Sequence, residues 1–222
     1  MKRCPKSGLH NPFKNPQRYR EWGDSLRLLT ENLHDKQIND HFLKLIQMVM
    51  PKSKVQAQGE LTVTRNFLEN FCGDNSRFGL RGFQVAGDHE GQISNGFRFP
   101  YGPVSIITPF NFPYEIPVLQ TIGALLPGNK VLLKVDSKVS LVMEHFVRLM
   151  DYCGFPKDSL NLMHSSGPVM QEILERLKPT LRQNHFTGSS KVANKLNALM
   201  NGKVSFEDSG FNWKILGPDV GT

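Results

Sequence analysis

Four short apolar runs in the second half of the sequence each end in side chains that can bind a ligand or take part in catalysis. These side chains are polar, small or aromatic, and each lies at the end of a run or shortly after it: Thr108, Phe110, Asn111, Lys134, Ser137, Gly188, Ser189 and Glu207. If the runs are parallel strands, their carboxyl ends meet at one edge of a sheet, where ligands bind in open α/β folds. The spacing therefore predicts one shared site.

Asn111 lies between two phenylalanines and two prolines, in the stretch T-P-F-N-F-P at residues 108–113. Prolines restrict the backbone, so a side chain held there can donate a preorganised N–H to a developing oxyanion. An asparagine in a turn more commonly bonds its own backbone. The residues alone leave both roles open.

Lys134 and Glu207 also have two interpretations each. Lys134 can donate to sugar hydroxyls, or it can extend its ammonium group to solvent along an apolar stem. Partial burial of Glu207 would suit a general base. Alternatively, Glu207 has no catalytic role and its carboxylate interacts with the dipole at a helix N-terminus.

The turn F-T-G-S-S at residues 186–190 leads directly into residues with helical spacing. Free N–H groups at a helix N-terminus bind phosphate, which would make Gly188 and Ser189 cofactor-binding residues. An ordinary serine N-cap without a ligand fits equally well. The G-x-G-x-x-G dinucleotide fingerprint is missing from the sequence.

Two periodicities divide the sequence near residue 95. Before it, apolar residues recur at helical spacing, and Pro51 is expected to end one such helix. The glycine-rich residues 86–102 predict a connector with room for one short strand. We therefore expect a helical segment over residues 1–95 that packs on a cofactor-binding domain over residues 96–222.

Five strand-like runs alternate with four amphipathic helices after this connector. The runs are residues 104–108, 131–135, 160–163, 183–186 and 203–206. Such alternation predicts an α/β fold with a doubly wound parallel sheet.

Composition limits the possible partners. The 222 residues carry a formal charge of +7 and a pI of about 9.4, yet the basic residues are dispersed, so we expect no nucleic-acid partner. No apolar run is long enough to span a membrane. Three scattered cysteines predict neither a disulfide framework nor a metal site.

The motifs together resemble those of the aldehyde dehydrogenase superfamily. T-P-F-N-F-P is similar to the family's T-P-W-N-F-P, and F-T-G-S at residues 186–189 is similar to its F-T-G-S turn. L-K-V-D-S-K at residues 133–138 and E-D-S-G at residues 207–210 occupy the places of two further family motifs. Plant-type delta-1-pyrroline-5-carboxylate dehydrogenases are the subgroup that the sequence resembles most.

The resemblance implies an activity and a role for each site residue. The activity is NAD-dependent oxidation of the aldehyde glutamate semialdehyde to glutamate, in a homo-oligomer of the mitochondrial matrix. Asn111 would be the oxyanion-hole amide and Glu207 the general base. Lys134 would contact the adenosine ribose and Ser189 the pyrophosphate, with Thr108, Phe110 and Gly188 as further cofactor-binding residues. Ser137 stands where many members have a ribose-binding glutamate, so the resemblance does not decide between NAD and NADP.

The nucleophilic cysteine of the family lies downstream of the general-base glutamate, in a separate catalytic domain. Cys4, Cys72 and Cys153 do not match it in sequence position. We therefore expect a cofactor-binding half that lacks both the nucleophile and a transit peptide. The alternative is a non-catalytic module that binds NAD or pairs with a full-length subunit.

The purified 222-residue chain is expected to show no turnover of glutamate semialdehyde with NAD, because a thiolate must attack the carbonyl carbon. NADH absorbance measures this directly. Sustained NADH production by the chain alone would refute the prediction.

Overall fold

Helices make up the first part of the chain in the computed structural model, which describes residues 14–78, 81–211 and 213–219. They are α1 (Gln17–His34), α2 (Lys36–Val49), α3 (Lys54–Glu69) and the single turn α4 (Asn75–Phe78). The Asp35 side chain caps α2, and Ser53 forms a reciprocal capping box with Gln56 at the start of α3. The helix end predicted at Pro51 is confirmed, because α2 stops two residues before it.

An antiparallel hairpin follows, formed by β1 (Phe83–Ala86) and β2 (Ile93–Gly96). This corrects the prediction of helices up to residue 95 with one short strand after residue 86. Strands of four residues are too short for a clear alternating pattern, and Gly91, with φ of +77°, lies in the turn that joins them. The proposed division at residue 95 falls within β2.

The second half of the chain alternates strands and helices as predicted. The elements are β3 (Pro103–Ile107), α5 (Glu115–Leu125), β4 (Lys130–Lys134), α6 (Ser140–Tyr152), β5 (Leu160–Met163), α7 (Gly167–Leu177), β6 (Gln183–Gly188), α8 (Ser190–Leu199) and β7 (Val204–Asp208). The strands form one parallel sheet in the order β5-β4-β3-β6-β7. The predicted doubly wound α/β fold is confirmed.

Two hydrophobic cores cover the two faces of this sheet. Val131 and Leu133 of β4 enter a core shared with α1, α2, α3, α5 and α6, whereas Leu132 between them enters a smaller core beneath α7 and α8. Successive strand residues point to opposite faces, which explains this division. Because the first core includes the N-terminal helices, those helices and the sheet stabilise one another.

Within the described part of the chain, no helix combines the length and apolar character needed to cross a membrane.

Phe146→Ala is expected to lower the free energy of unfolding by about 3–5 kcal/mol, because its fully buried ring contacts Phe42 and Tyr114 in the larger core. Tyr152→Ala, at an exposed position of the same helix, is the control, with an expected change within about 0.5 kcal/mol. Urea denaturation measures both. Equal stabilities for the two variants would show that the helices and the sheet do not share this core.

Candidate functional site

The carboxyl edge of the sheet gathers the predicted site residues around β3. Ile107 at the end of β3 lies opposite Lys134 of β4 on one side and Phe186 of β6 on the other. Farther along the same edge, Thr187 of β6 lies opposite Glu207 of β7. The chain winds outward from β3 in both directions, and this reversal of strand order is where doubly wound folds bind ligands.

The segment after β3 presents Asn111 to the outside. Its side chain is exposed and makes no hydrogen bond with any described residue, so the turn bond to its own backbone is not observed. Phe110 and Phe112 beside it are 50% and 40% exposed. Thr108 is buried, and its backbone N–H donates to the Lys134 carbonyl oxygen over 3.1 Å. The free amide of Asn111 is thus available to a ligand at this edge.

The Glu60 side chain of α3 holds residues 112–115 in place. Its Oε1 accepts hydrogen bonds from the backbone N–H groups of Tyr114 (2.8 Å) and Glu115 (3.0 Å), which begin α5. Its Oε2 accepts a hydrogen bond from Lys52 Nζ over 2.7 Å, and the Glu60 side chain is 0% exposed. The same ammonium group lies 3.9 Å from the centroid of the Phe112 ring. Both ends of residues 112–115 are therefore held by one buried ion pair.

Sequence reasoning missed Glu60 and Lys52. One signal was present: Glu60 occupies a core position of α3, among the buried residues Ala57, Leu61, Thr64 and Leu68. A buried carboxylate needs partners, so a glutamate within an apolar helix stripe indicates a specific contact.

A cleft of about 280 Å³ opens between α7, α8 and the carboxyl ends of β3, β4 and β6. Its walls are mainly apolar and include Met170, Leu174, Phe186 and Val192. Lys134 lines this cleft at 9% exposure, and its ammonium group makes no ion pair or hydrogen bond with the described residues. A ligand in the cleft that supplies hydrogen-bond acceptors would give this ammonium group the partner that it lacks.

The N-terminus of α8 lies at the end of β6. Ser189 is its N-cap residue, yet the Ser189 side chain makes no capping hydrogen bond, so the ordinary N-cap role is not observed. A Cβ on Gly188 would lie 2.6 Å from the Phe186 ring, which itself lines the cleft. Glycine therefore allows the backbone to approach the cleft wall closely. The helix start keeps donors available for an anion.

Glu207 and Ser137 are exposed, and neither lines the cleft. The partial burial expected for Glu207 is not found, because β7 is an edge strand in which only Val204 is buried. Burial lowers the pKa of His185 on the neighbouring strand, and the negative charge of Glu207 opposes that shift.

Comparison with known proteins decides the family. The model of the aldehyde dehydrogenase family matches residues 19–220. The chain belongs to the aldehyde dehydrogenase family. Its members are NAD(P)-dependent oxidoreductases that act on aldehydes.

Two plant relatives match nearly the whole chain. The chain is 54% identical to delta-1-pyrroline-5-carboxylate dehydrogenase 12A1, mitochondrial, of Arabidopsis thaliana, over 99% of this chain and 39% of that protein. It is 55% identical to a probable aldehyde dehydrogenase of Linum usitatissimum, over 99% of this chain and 40% of that protein. The chain thus spans about two fifths of the length of these relatives.

A solved structure shares the fold. The NAD-dependent aldehyde dehydrogenase of Sinorhizobium meliloti superposes with a TM-score of 0.74 at 22% identity, covering 93% of this chain and 40% of that one.

The described cysteines are poor candidates for the aldehyde dehydrogenase nucleophile. Burial raises the pKa of Cys153 to about 11. The pKa of Cys72 is also raised, mainly by burial, and its thiol lies 3.5 Å from the Thr30 hydroxyl. Both stay protonated near neutral pH, whereas the reactive form is the thiolate. Cys4 lies outside the described residues.

Glu60→Ala is expected to cost about 3–5 kcal/mol of unfolding free energy, because it leaves the Lys52 ammonium and two backbone N–H groups without their acceptor. Glu31→Ala, which removes an exposed pair with Arg27, is the matched control and should cost less than about 1 kcal/mol. Chemical denaturation compares them. A Glu60→Ala chain as stable as the control would contradict the anchoring role.

Proposed function

We propose that this chain supplies the cofactor-binding part of an NAD-dependent aldehyde dehydrogenase that oxidises glutamate semialdehyde, the open form of delta-1-pyrroline-5-carboxylate, to glutamate in proline breakdown. The observation that carries the proposal is the cleft between α7 and α8, with the buried Lys134 at its base and the uncapped start of α8 nearby. A mainly apolar cleft that contains a buried lysine and lies beside an anion-binding helix end suits a dinucleotide.

Different residues of the chain would bind different parts of NAD. The apolar walls of the cleft suit the adenine ring, and Lys134 would donate to ribose hydroxyls. The N–H groups at the start of α8, with Gly188 and Ser189, would hold the pyrophosphate. Thr108, Phe110 and Ser137 follow the neighbouring strands and would border the remainder of the cofactor. When bound, NAD accepts the hydride that leaves the substrate carbon.

Asn111 and Glu207 would act on the substrate side. The free Asn111 amide would donate to the oxygen that becomes negative when a thiolate attacks the aldehyde carbon. Once the hydride has left the substrate carbon, a thioester remains, and Glu207 would take a proton from the water that hydrolyses it. The nucleophile itself is not assigned, since Cys72 and Cys153 are held as thiols. We therefore propose that this chain alone does not complete the reaction.

The Arabidopsis relative supports the choice of substrate and compartment. The name of that protein gives both delta-1-pyrroline-5-carboxylate and the mitochondrion. Because the two sequences are 54% identical over nearly the whole of this chain, we carry both over, with the matrix as the location. Assembly of the whole enzyme as a homo-oligomer is part of the same proposal. The relatives are named as dehydrogenases, which lends no support to a non-catalytic module.

Lys134→Met is expected to weaken NAD binding by about tenfold or more, because a hydrogen bond from a charged donor contributes about 1.5–3 kcal/mol. Lys130→Met is the matched control. It changes the same residue type at the opposite end of β4, where the ammonium pairs with Asp158 at the surface. Calorimetric titration with NAD, then NADP, measures affinity and preference.

Two results would contradict the proposal. One is a wild-type chain that binds neither dinucleotide. The other is equal loss of affinity in both lysine variants, which would place NAD outside the cleft.

A further inference from the structure

Two histidines lie side by side where α2 packs against α6. Nε2 of His41 is 3.1 Å from Nδ1 of His145, and the ring centroids are 5.0 Å apart with planes inclined by 50°. His41 is exposed and His145 is half-buried. Neither residue lines the cofactor cleft or follows a strand of the sheet, so the proposed function leaves both without a role.

The backbone beneath this pair is fixed by the core. Phe42 and Phe146, each directly after one of the histidines, are buried with ring centroids 6.3 Å apart. Both rings also contact Tyr114, at 5.2 Å and 5.4 Å. Close packing one residue away from each imidazole sets the separation of the two helices there. The histidines are therefore brought together by the fold and do not depend on their mutual contact.

We propose that His41 and His145 form a two-histidine site for a divalent transition-metal ion such as Ni²⁺, Zn²⁺ or Cu²⁺. Imidazole nitrogens suit these ions and bind zinc at about 2.0–2.1 Å. Two nitrogens at that distance from one ion, and 3.1 Å from each other, subtend roughly 95–100° at the ion. That angle fits adjacent positions of octahedral or square-planar coordination.

The surroundings define the rest of the site. No group of three or more histidine, cysteine, aspartate or glutamate side chains suited to a metal occurs among the described residues, so water would take the other positions. Arg148 lies nearby, and its charge is paired with Glu144 over 3.2 Å. Burial, then His41 and Arg148, lower the pKa of His145, while Glu144 opposes the shift. Neutral imidazole is the form that binds metals.

The test is a titration of the untagged 222-residue chain with Ni²⁺, followed by calorimetry, on the wild type and on His41→Gln and His145→Gln. His164→Gln is the matched control, because His164 bonds Glu144 outside the pair. We expect one wild-type site and at least tenfold weaker binding in either variant of the pair, since losing even a supporting residue costs 10–100-fold at known metal sites. The control should bind like the wild type. Circular dichroism checks that each variant is folded.

Equal Ni²⁺ affinity in the wild type and in both variants of the pair would overturn the proposal, since any binding would then occur at other groups of the chain. Absence of Ni²⁺ binding by the folded wild type would overturn it as well, leaving a simple imidazole–imidazole hydrogen bond. Electron paramagnetic resonance with Cu²⁺ gives an independent readout, with two nitrogen ligands expected and one in either variant.

Discussion

The buried ion pair of Glu60 and Lys52 is the contact on which the arrangement of the sheet's carboxyl edge depends. Glu60 uses one oxygen to hold the start of α5 and the other to hold Lys52, whose ammonium group lies against Phe112. The chain between Thr108 and α5 has to leave the sheet, expose Asn111 and enter a helix. Because Glu60 lies on α3, the N-terminal helices fix the position of the segment that carries Asn111 as well as covering one face of the sheet.

The cofactor cleft, on the other side of this edge, is shaped by the register of the strands and by one glycine. Ile107, Lys134 and Phe186 lie opposite one another on three neighbouring strands, so the wall of the cleft is continuous across those strands. Gly188 leaves room for the Phe186 ring, and α8 begins directly beyond it. An apolar wall, a buried lysine and an uncapped helix start are thereby placed together.

Much of this organisation could be predicted from sequence because the strands of a parallel sheet are buried on both faces and read as continuous apolar runs. All five runs are strands, and the residues after four of them lie at one edge. The hairpin at residues 83–96 was mispredicted because its strands are short and exposed. Glu207 is exposed because β7 is the outermost strand of the sheet, and the sequence does not show which strand takes that position. The contacts of Glu60 and of the histidine pair join residues that are distant in sequence. Tertiary packing decides such features, and local pattern does not encode them.

The central claim is that a dinucleotide binds at the carboxyl edge of β3, β4 and β6, between α7 and α8. Nuclear magnetic resonance of the isotopically labelled chain during addition of NAD tests it most directly. The account predicts that the largest amide shifts fall at the start of α8 and on the residues lining the cleft, with little change at the histidine pair. Shifts concentrated on the hairpin or the N-terminal helices, with the cleft unaffected, would contradict it.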